Sequence, residues 1–278
     1  MKQFLTIIFS FFIIGNSFSQ DINQTLAFAN EKYAEQNYNI ALKSYKRVLF
    51  FDTAASYNII HSKLADCYFY ENDLENSLLH YDIAYNLEEN DSLKNEYSFK
   101  RILIFTLQNN YSDASQEIYS LKDSLSLYFN KRKEFYLGII DLQNDSIESS
   151  KAHFINALNS NDSIKTNTIK EAFSKVNLRK PNPKLAKYLS IIPGLGQTYS
   201  GNYKNAANAF LLSASLATLF LYIASNYTFI DATLSIFPYF QRYYIGGITK
   251  AEKGAIGKKF EKKNKLLSKL LFVFADNK

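Results

Sequence analysis

A short pattern recurs four times along the first half of the chain, and it constrains the fold more than any other feature. Each copy has a large residue at its first and eighth positions and a small one at its fourth. The copies begin at Tyr38, Leu74, Tyr111 and Ile147, so 36, 37 and 36 residues separate them. Each follows a short polar turn, with apolar residues at i, i+3, i+4 and i+7 on both sides. This spacing predicts pairs of amphipathic helices joined by tight turns.

Small and large packing residues stand at fixed places in these units. The second unit has Leu64, Ala65, Tyr68, Leu74, Ser77, Tyr81 and Ala84, and the fourth has Leu137, Gly138, Ile147, Ser150, Phe154 and Ala157. The pattern resembles the tetratricopeptide repeat, a family of helical hairpins with a period near 34 residues. The resemblance implies that residues 20–178 form a non-catalytic helical solenoid whose groove holds a partner protein or peptide. The alternative is that the repeats only support the segment that follows.

Tyrosine and asparagine recur on the first helices of the repeats, where a groove would be lined. These residues are Asn30, Tyr33, Asn58, Tyr68 and Tyr70. Since tyrosine at helical spacing more often packs into a core than binds a ligand, we assign no binding residue here.

Residue types that carry chemistry are scarce. The single cysteine, Cys67, excludes an internal disulfide and a zinc site of several cysteines, and we expect a small buried packing residue. The histidines His61, His80 and His153 fall on different helices, and we expect them to be solvated and apart. We therefore expect no enzyme: no catalytic residue, no cofactor and no metal site.

Residues 205–230 form a stretch of 26 residues without a charge. Its central part, residues 206–224, would measure about 28 Å as a helix, close to the hydrocarbon thickness of a bilayer. Residues 179–204 hold five basic and no acidic residues, and residues 249–278 hold nine lysines against three acids. Basic flanks around an apolar band are typical of contact with lipid headgroups. We predict a membrane helix here, with membrane lipid as a partner.

A second candidate span, residues 228–248, is less apolar because it contains Asp231, Pro238 and Arg242. Charges inside a span are costly unless they lie near an interface or in a protein-lined site. The segment fits a kinked second span in which Arg242 snorkels, and it also fits a helix lying on the surface. We favour the first alternative, a membrane-embedded helical hairpin within residues 179–248.

The sequence Pro-Gly-Leu-Gly-Gln-Thr-Tyr-Ser-Gly occupies residues 193–201, before the apolar helix. Its proline and first two glycines predict a helix break and a tight turn. The GxGxxG and phosphate-loop patterns are missing, which argues against nucleotide binding. With the Tyr-Tyr-Ile-Gly-Gly of residues 243–247, the segment resembles a module of uncharacterised bacterial envelope proteins, covering residues 184–265. The resemblance implies a location rather than a chemistry.

The end of the chain, residues 249–278, combines lysines with an apolar stretch at residues 266–274. Such a segment suits an amphipathic helix on a lipid surface better than a nucleic-acid interface. We predict a basic amphipathic tail and no nucleic-acid partner.

Residues 1–19 have the parts of a signal peptide. Lys2 precedes an apolar run from Phe4 to Ile14, and Ser17 and Ser19 are small residues suited to a cleavage site. The run is too short to span a membrane. We therefore predict a cleaved signal and a bacterial cell envelope location, with the repeats outside the cytoplasm on the periplasmic side. The positive-inside rule conflicts with this, since it favours the cytoplasm for both basic flanks. A retained first segment with two further spans would satisfy it and place the repeats inside.

These expectations define two candidate functions. The first is a non-catalytic, membrane-anchored scaffold that mediates protein–protein interaction. The second is a membrane-active component that assists membrane-protein insertion or transport, with the repeats as a docking handle.

Overall fold

The computed structural model describes residues 21–51, 57–121, 125–158 and 162–275. The expected signal peptide lies outside these ranges. The described chain is helical throughout, without a strand, which confirms the all-α class. Its helices are α1 (Ile22–Ala34), α2 (Tyr38–Phe51), α3 (Tyr57–Tyr70), α4 (Leu74–Leu87), α5 (Asp91–Leu107), α6 (Tyr111–Ser120), α7 (Leu127–Gln143), α8 (Ile147–Asn156), α9 (Ser163–Ser174), α10 (Pro183–Leu189), α11 (Leu195–Tyr199), α12 (Tyr203–Asn226) and α13 (Phe229–Ala275).

The second helix of each repeat begins at the residue where the sequence pattern begins. These helices are α2, α4, α6 and α8. Two positions before each of these four helices lies a residue with left-handed backbone, with φ between 57° and 68°. The four residues are Gln36, Asn72, Asn109 and Asp145. Asparagine and aspartate adopt this conformation more readily than most side chains, which explains the polar turns.

One hydrogen-bond pattern closes all four turns. The amide that follows the left-handed residue donates to a carbonyl five residues back, as from Asp73 to Tyr68 at 2.9 Å. This is the Schellman motif that ends many helices. The Asp73 side chain also accepts from the amide of Asn76, so one residue both closes α3 and caps α4. The chain therefore reverses sharply, and the two helices pair as a hairpin.

Small residues let the helices of a hairpin approach closely. The buried Ser77 hydroxyl donates to the carbonyl of Ala65 at 2.8 Å, and Ser150 repeats this bond to Gly138 at 2.7 Å. A Cβ on Gly138 would lie 3.0 Å from the Phe154 ring. The same serine-to-carbonyl hydrogen bond thus recurs in the second and fourth hairpins, at the small positions of the sequence pattern.

The chain divides into two compact units, residues 1–129 and residues 130–278, with α7 crossing from one to the other. The first unit contains three hairpins, and each helix from α1 to α5 packs against the next one. Its largest fully buried side chains include Tyr45, Tyr81 and Phe99. The successive hairpin packing agrees with the repeat pattern for this unit.

The second unit is organised around α13, a helix of 47 residues with Pro238 inside it. It crosses position 248, where the sequence suggested a boundary, and it packs against α9, α10, α11 and α12. Near its end Leu266 and Leu270 are fully buried, and the Phe274 ring lies 4.9 Å from that of Phe135. Protein therefore covers part of the tail's apolar stretch, whereas Leu271 and Phe272 remain exposed.

Within the described ranges, α12 is the one helix long and apolar enough to span a membrane. Only 11% of its apolar stretch is buried, which distinguishes it from a core helix of a soluble domain. Large apolar side chains on it, including Phe210, Leu211 and Leu221, are exposed. The helix pairs with the first part of α13, and the Phe220 and Phe229 rings meet 5.7 Å apart beside the connecting turn.

Candidate functional site

The Asp66 carboxylate on α3 collects hydrogen bonds from three other helices of the first unit. It accepts from the hydroxyls of Tyr33 at 2.9 Å and Tyr81 at 2.5 Å, and from the Lys100 ammonium at 3.0 Å. Burial raises the pKa of both tyrosines and the Asp66 charge raises it further, so both hydroxyls remain neutral donors. Side chains of the protein itself occupy this carboxylate. The cluster therefore links the hairpins of the first unit to one another.

The other polar residues of the first helices also contact protein. The Tyr70 ring stacks on Tyr38 at 4.2 Å, and the Tyr68 ring stacks on His80 at 5.3 Å. The Asn30 amide oxygen accepts from the Tyr45 hydroxyl at 2.8 Å. The side chain of Asn58 lies outside the described part of the chain. These contacts agree with the packing role expected for the tyrosines.

Two histidines that we expected to be apart lie together. The Nδ1 atoms of His61 and His80 are 2.8 Å apart, and their rings stack at 5.1 Å. The expectation is wrong because α3 and α4 form one hairpin, which places residues 19 positions apart opposite each other. Burial lowers the pKa of both rings, and for His80 the charges of His61 and Lys46 add to this, lowering it to about 4.

The third histidine lies in the second unit, where its Nδ1 is 2.8 Å from the Glu134 carboxylate. Across the described ranges, no three or more His, Cys, Asp or Glu side chains converge as metal ligands would.

Cys67 is fully buried within the first hairpin cluster. Burial raises the pKa of its thiol to about 12, with a further rise from the neighbouring Asp66 charge. A thiol is a nucleophile only as the thiolate, so this group is inert at neutral pH. The packing role expected for it is confirmed.

Residues 193–201 form the expected break, followed by the short helix α11. Gly194 has φ 90°, and a Cβ on it would lie 2.6 Å from the carbonyl oxygen of Ala206. A Cβ on Gly196 would collide with Ser190 and with the backbone of α10. Only glycine fits at these two places, because each brings a backbone against a neighbouring helix. The Tyr244 hydroxyl of α13 donates to the Ile191 carbonyl at 2.9 Å and closes the turn.

Gln197 on α11 is a buried polar residue, and only the nitrogen of its side-chain amide has a hydrogen-bond partner among the described residues. It is 2% exposed, and its Nε2 donates to the Gly247 carbonyl at 2.8 Å. Its Oε1 has no hydrogen-bond partner among the described residues. Leaving a buried acceptor unpaired costs about 1–3 kcal/mol. This cost falls on the packing of α11 against α13 and is not relieved by solvent, because the atom is fully buried.

Gln197 lines a cleft of about 790 Å³ between α12 and α13. Asn205, Asn208, Arg242 and Lys250 contribute polar and cationic groups to this cleft, whereas Leu211 and Leu212 contribute apolar surface. Neither Arg242 nor Lys250 has an ion-pair partner within the described part of the chain. Sequence reasoning found Arg242 and the glycines but missed the cleft, because its residues come from three separate segments. The arrangement can hold an anion with an apolar part attached.

Asp145 joins the fourth turn to two lysines of α13. Its two carboxylate oxygens each lie 2.6 Å from an ammonium, Oδ1 from Lys263 and Oδ2 from Lys259. Lys263 is 5% exposed and also donates to the Gln143 carbonyl at 2.7 Å. Burial raises the pKa of Asp145, but the two lysines outweigh it and hold that pKa below its usual value. Two lysines of the basic tail thus form ion pairs within the protein.

No known protein family matches the chain, and no curated protein matches it. The likeness to tetratricopeptide repeats and to the envelope module therefore rests on the residues quoted above.

Proposed function

We propose that the chain is a non-catalytic, membrane-anchored scaffold of the bacterial cell envelope, whose helical repeats hold a partner protein or peptide. The observation that carries this proposal is the surface of α12. A helix of 24 residues that leaves Phe210, Leu211 and Leu221 exposed needs a cover, and lipid supplies one along the whole helix.

The proposal that the repeats hold a partner rests on the regular succession of similar hairpins. Three helical hairpins follow one another in the first unit, with left-handed turns at Gln36, Asn72 and Asn109. Arrays of this kind present the faces of their first helices as an extended surface for a peptide or helix. Exposed aromatic side chains such as Tyr70 would contribute affinity there.

The side of the membrane is tested by protease accessibility of the repeats in intact spheroplasts, with a carboxy-terminal tag and a lysed control. Digestion before lysis supports the periplasmic side. Protection until lysis contradicts it and supports a retained first segment with a cytoplasmic array. Resistance of the protein to carbonate extraction tests the anchoring itself, and full release would overturn it.

The scaffold role is tested by site-specific photocross-linking in living cells. A cross-linking residue replaces Tyr70 on α3, the first helix of the second hairpin, and a control replaces the exposed Tyr119 on α6. The proposal expects one recurrent adduct from position 70 and a weaker or absent one from position 119. Equal adducts from both positions, or none from position 70, count against a partner bound to the first helices.

A second candidate function is a membrane-active role in insertion or transport, and the cleft beside Gln197 favours it. An unrelated membrane hairpin in place of residues 205–241 separates the two candidates. This exchange keeps Gly247 and the part of α13 that contacts Asp145. A scaffold retains its function in that chimera, whereas a membrane-active component loses it.

A further inference from the structure

We infer that the cleft between α12 and α13 binds the headgroup of an anionic phospholipid. This inference rests on the proposed membrane anchoring and deepens it, because it assigns a specific ligand site to the anchor.

The cleft offers two kinds of group that a ligand must satisfy together. Arg242 and Lys250 are cations without an ion-pair partner in the described ranges, and they call for an anion such as a phosphate diester. Leu211 and Leu212 add apolar surface beside these cations. An anionic phosphate that carries acyl chains meets both needs.

The depth of the cleft agrees with a headgroup. Arg242 lies fourteen residues along α13 from the turn at Thr228, or about 21 Å, and Lys250 lies about 33 Å from it. In a hydrocarbon layer of about 30 Å, Lys250 reaches the headgroup level opposite the turn. Arg242 lies about one headgroup's depth inside and can reach outward along the cleft. With the turn at Thr228 at one membrane surface, as the proposed anchoring has it, the polar end of the cleft reaches the opposite surface.

The apolar side of the cleft favours a lipid over a soluble phosphate. Leu211 and Leu212 line it, and Leu211 belongs to the exposed apolar surface of α12. An acyl chain can follow that surface away from the headgroup, whereas a free phosphate leaves it unused. The volume of about 790 Å³ falls in the range of sites for small molecules.

The test measures lipid binding by full-length protein in detergent micelles, using native mass spectrometry and short-chain lipids. Dioctanoyl phosphatidylglycerol carries the charge and the hydroxyls, and phosphatidylmethanol carries only the charge. Phosphatidylcholine carries neither a net charge nor a donor, and glycerol phosphate lacks the acyl chains. We expect phosphatidylglycerol and phosphatidylmethanol to bind at least tenfold more tightly than each of the other two. Equal binding of glycerol phosphate would assign the cleft to a soluble phosphate, and equal binding of phosphatidylcholine would reduce it to non-specific lipid contact. Either result overturns the inference.

Charge variants supply a matched comparison. The double variant Arg242→Gln/Lys250→Gln should weaken phosphatidylglycerol binding at least tenfold. The control Lys204→Gln/Lys253→Gln removes the same charge from exposed lysines of the same two helices that do not line the cleft, and it should change binding less than twofold. Equal losses in both would show a diffuse charge effect and overturn the site.

A second pair of variants blocks the cleft without touching its charges. A Cβ on Gly246 would meet nothing within 4 Å, so Gly246→Leu starts a side chain into the cleft from an open position. Gly257 on the same helix is equally open but lies outside the cleft. Gly246→Leu should abolish phosphatidylglycerol binding and Gly257→Leu should leave it unchanged. Flotation of each preparation with liposomes reports on anchoring separately. A protein that floats but shows no selectivity refutes the lipid site alone, and one that does not float refutes the anchor.

Discussion

The Lys263 ammonium lies 2.6 Å from the Asp145 carboxylate, although 118 residues separate the two along the chain. Asp145 is the left-handed residue of the fourth turn, and Lys263 is 5% exposed on α13. Because the Lys263 ammonium is so deeply buried, its stability in the fold depends on the Asp145 carboxylate.

We expect Asp145→Asn to destabilise the packing of α13 by about 2 kcal/mol. The value is below the 3–5 kcal/mol typical of a fully buried pair, because Asp145 itself is half-exposed. Asparagine tolerates the left-handed backbone, so the loss reports on charge alone. Lys263→Met should cost less, since it leaves Asp145 paired with Lys259. Hydrogen exchange of the α13 amides in the full-length protein measures both. A larger loss for Lys263→Met would contradict this ranking, and Glu261→Gln on the exposed side is the control.

The His61–His80 pair should make the first unit sensitive to mild acid. The pKa of His80 falls from about 6.5 in an unfolded chain to about 4 in the fold, so the unfolded state binds more protons between these values. Stability is therefore present at pH 7 and declines as the pH falls below about 6.5. At pH 5 we expect a loss of about 1–2 kcal/mol in hydrogen exchange of α3 and α4. His80→Gln should remove most of this slope and His153→Gln should not. An unchanged slope in His80→Gln would refute the assignment.

Two glycines of the second unit should respond to alanine with opposite signs. A Cβ on Gly138 presses on the fully buried Phe154 ring at 3.0–3.1 Å, so Gly138→Ala should cost about 1–3 kcal/mol. Gly257 is helical and open, and Gly257→Ala should stabilise α13 by up to about 1 kcal/mol. Thermal unfolding and hydrogen exchange of both variants give the comparison. A stabilising effect of Gly138→Ala would mean that the Gly138–Phe154 contact is looser than the geometry indicates.

The turn before α12 offers a second comparison. Gly194 and Gly201 both have positive φ, of 90° and 79°, and alanine strains each by about 1–2 kcal/mol. Only Gly194 also faces a backbone oxygen at 2.6 Å, that of Ala206, so Gly194→Ala should cost at least twice as much as Gly201→Ala. Protease resistance of the folded protein in micelles should fall in the same order. Similar losses would show that strain, and not the close approach, requires glycine.

The Asp66 cluster is tested by a double-mutant cycle. Because a charged acceptor strengthens a hydrogen bond, we expect a coupling of about 1–2 kcal/mol between Asp66→Asn and Tyr81→Phe. The Tyr45 hydroxyl donates to Asn30, so a cycle of Asp66→Asn with Tyr45→Phe should give a coupling near zero. The coupling is calculated from the free energies of opening α3 and α4, measured in the wild type, the two single variants and the double variant of each cycle. Comparable couplings in both cycles would mean that the mutations act through general loosening.

The hairpins could be predicted to the residue because local rules determine them. The repeated pattern of large and small residues places the start of α4 at Leu74, and the polar turn before it indicates where α3 ends. The left-handed residue could not be chosen from sequence, since each turn offers several polar residues. In the first turn glutamine occupies that position instead of the asparagine beside it.

The cleft and the path of α13 could not be predicted because they depend on pairings over long distances. Pro238 lies inside α13, and the helix continues on both sides of it. The lysines of residues 258–265 suggested lipid, whereas Lys263 meets a carboxylate more than a hundred residues earlier. Periodicity shows that a helix has an apolar face and cannot show what covers it.

The order of synthesis gives the long α13 a further importance. Ribosomes add about 5–20 residues per second, so roughly 6–24 s pass between Gln143 and Lys263 leaving the catalytic centre. Throughout this interval the Phe135 and Phe154 rings lack their contact with Phe274. The apolar helix α12 is made within the same interval, so it is synthesised before the second unit can close. The far end of α13 therefore completes the packing of this unit.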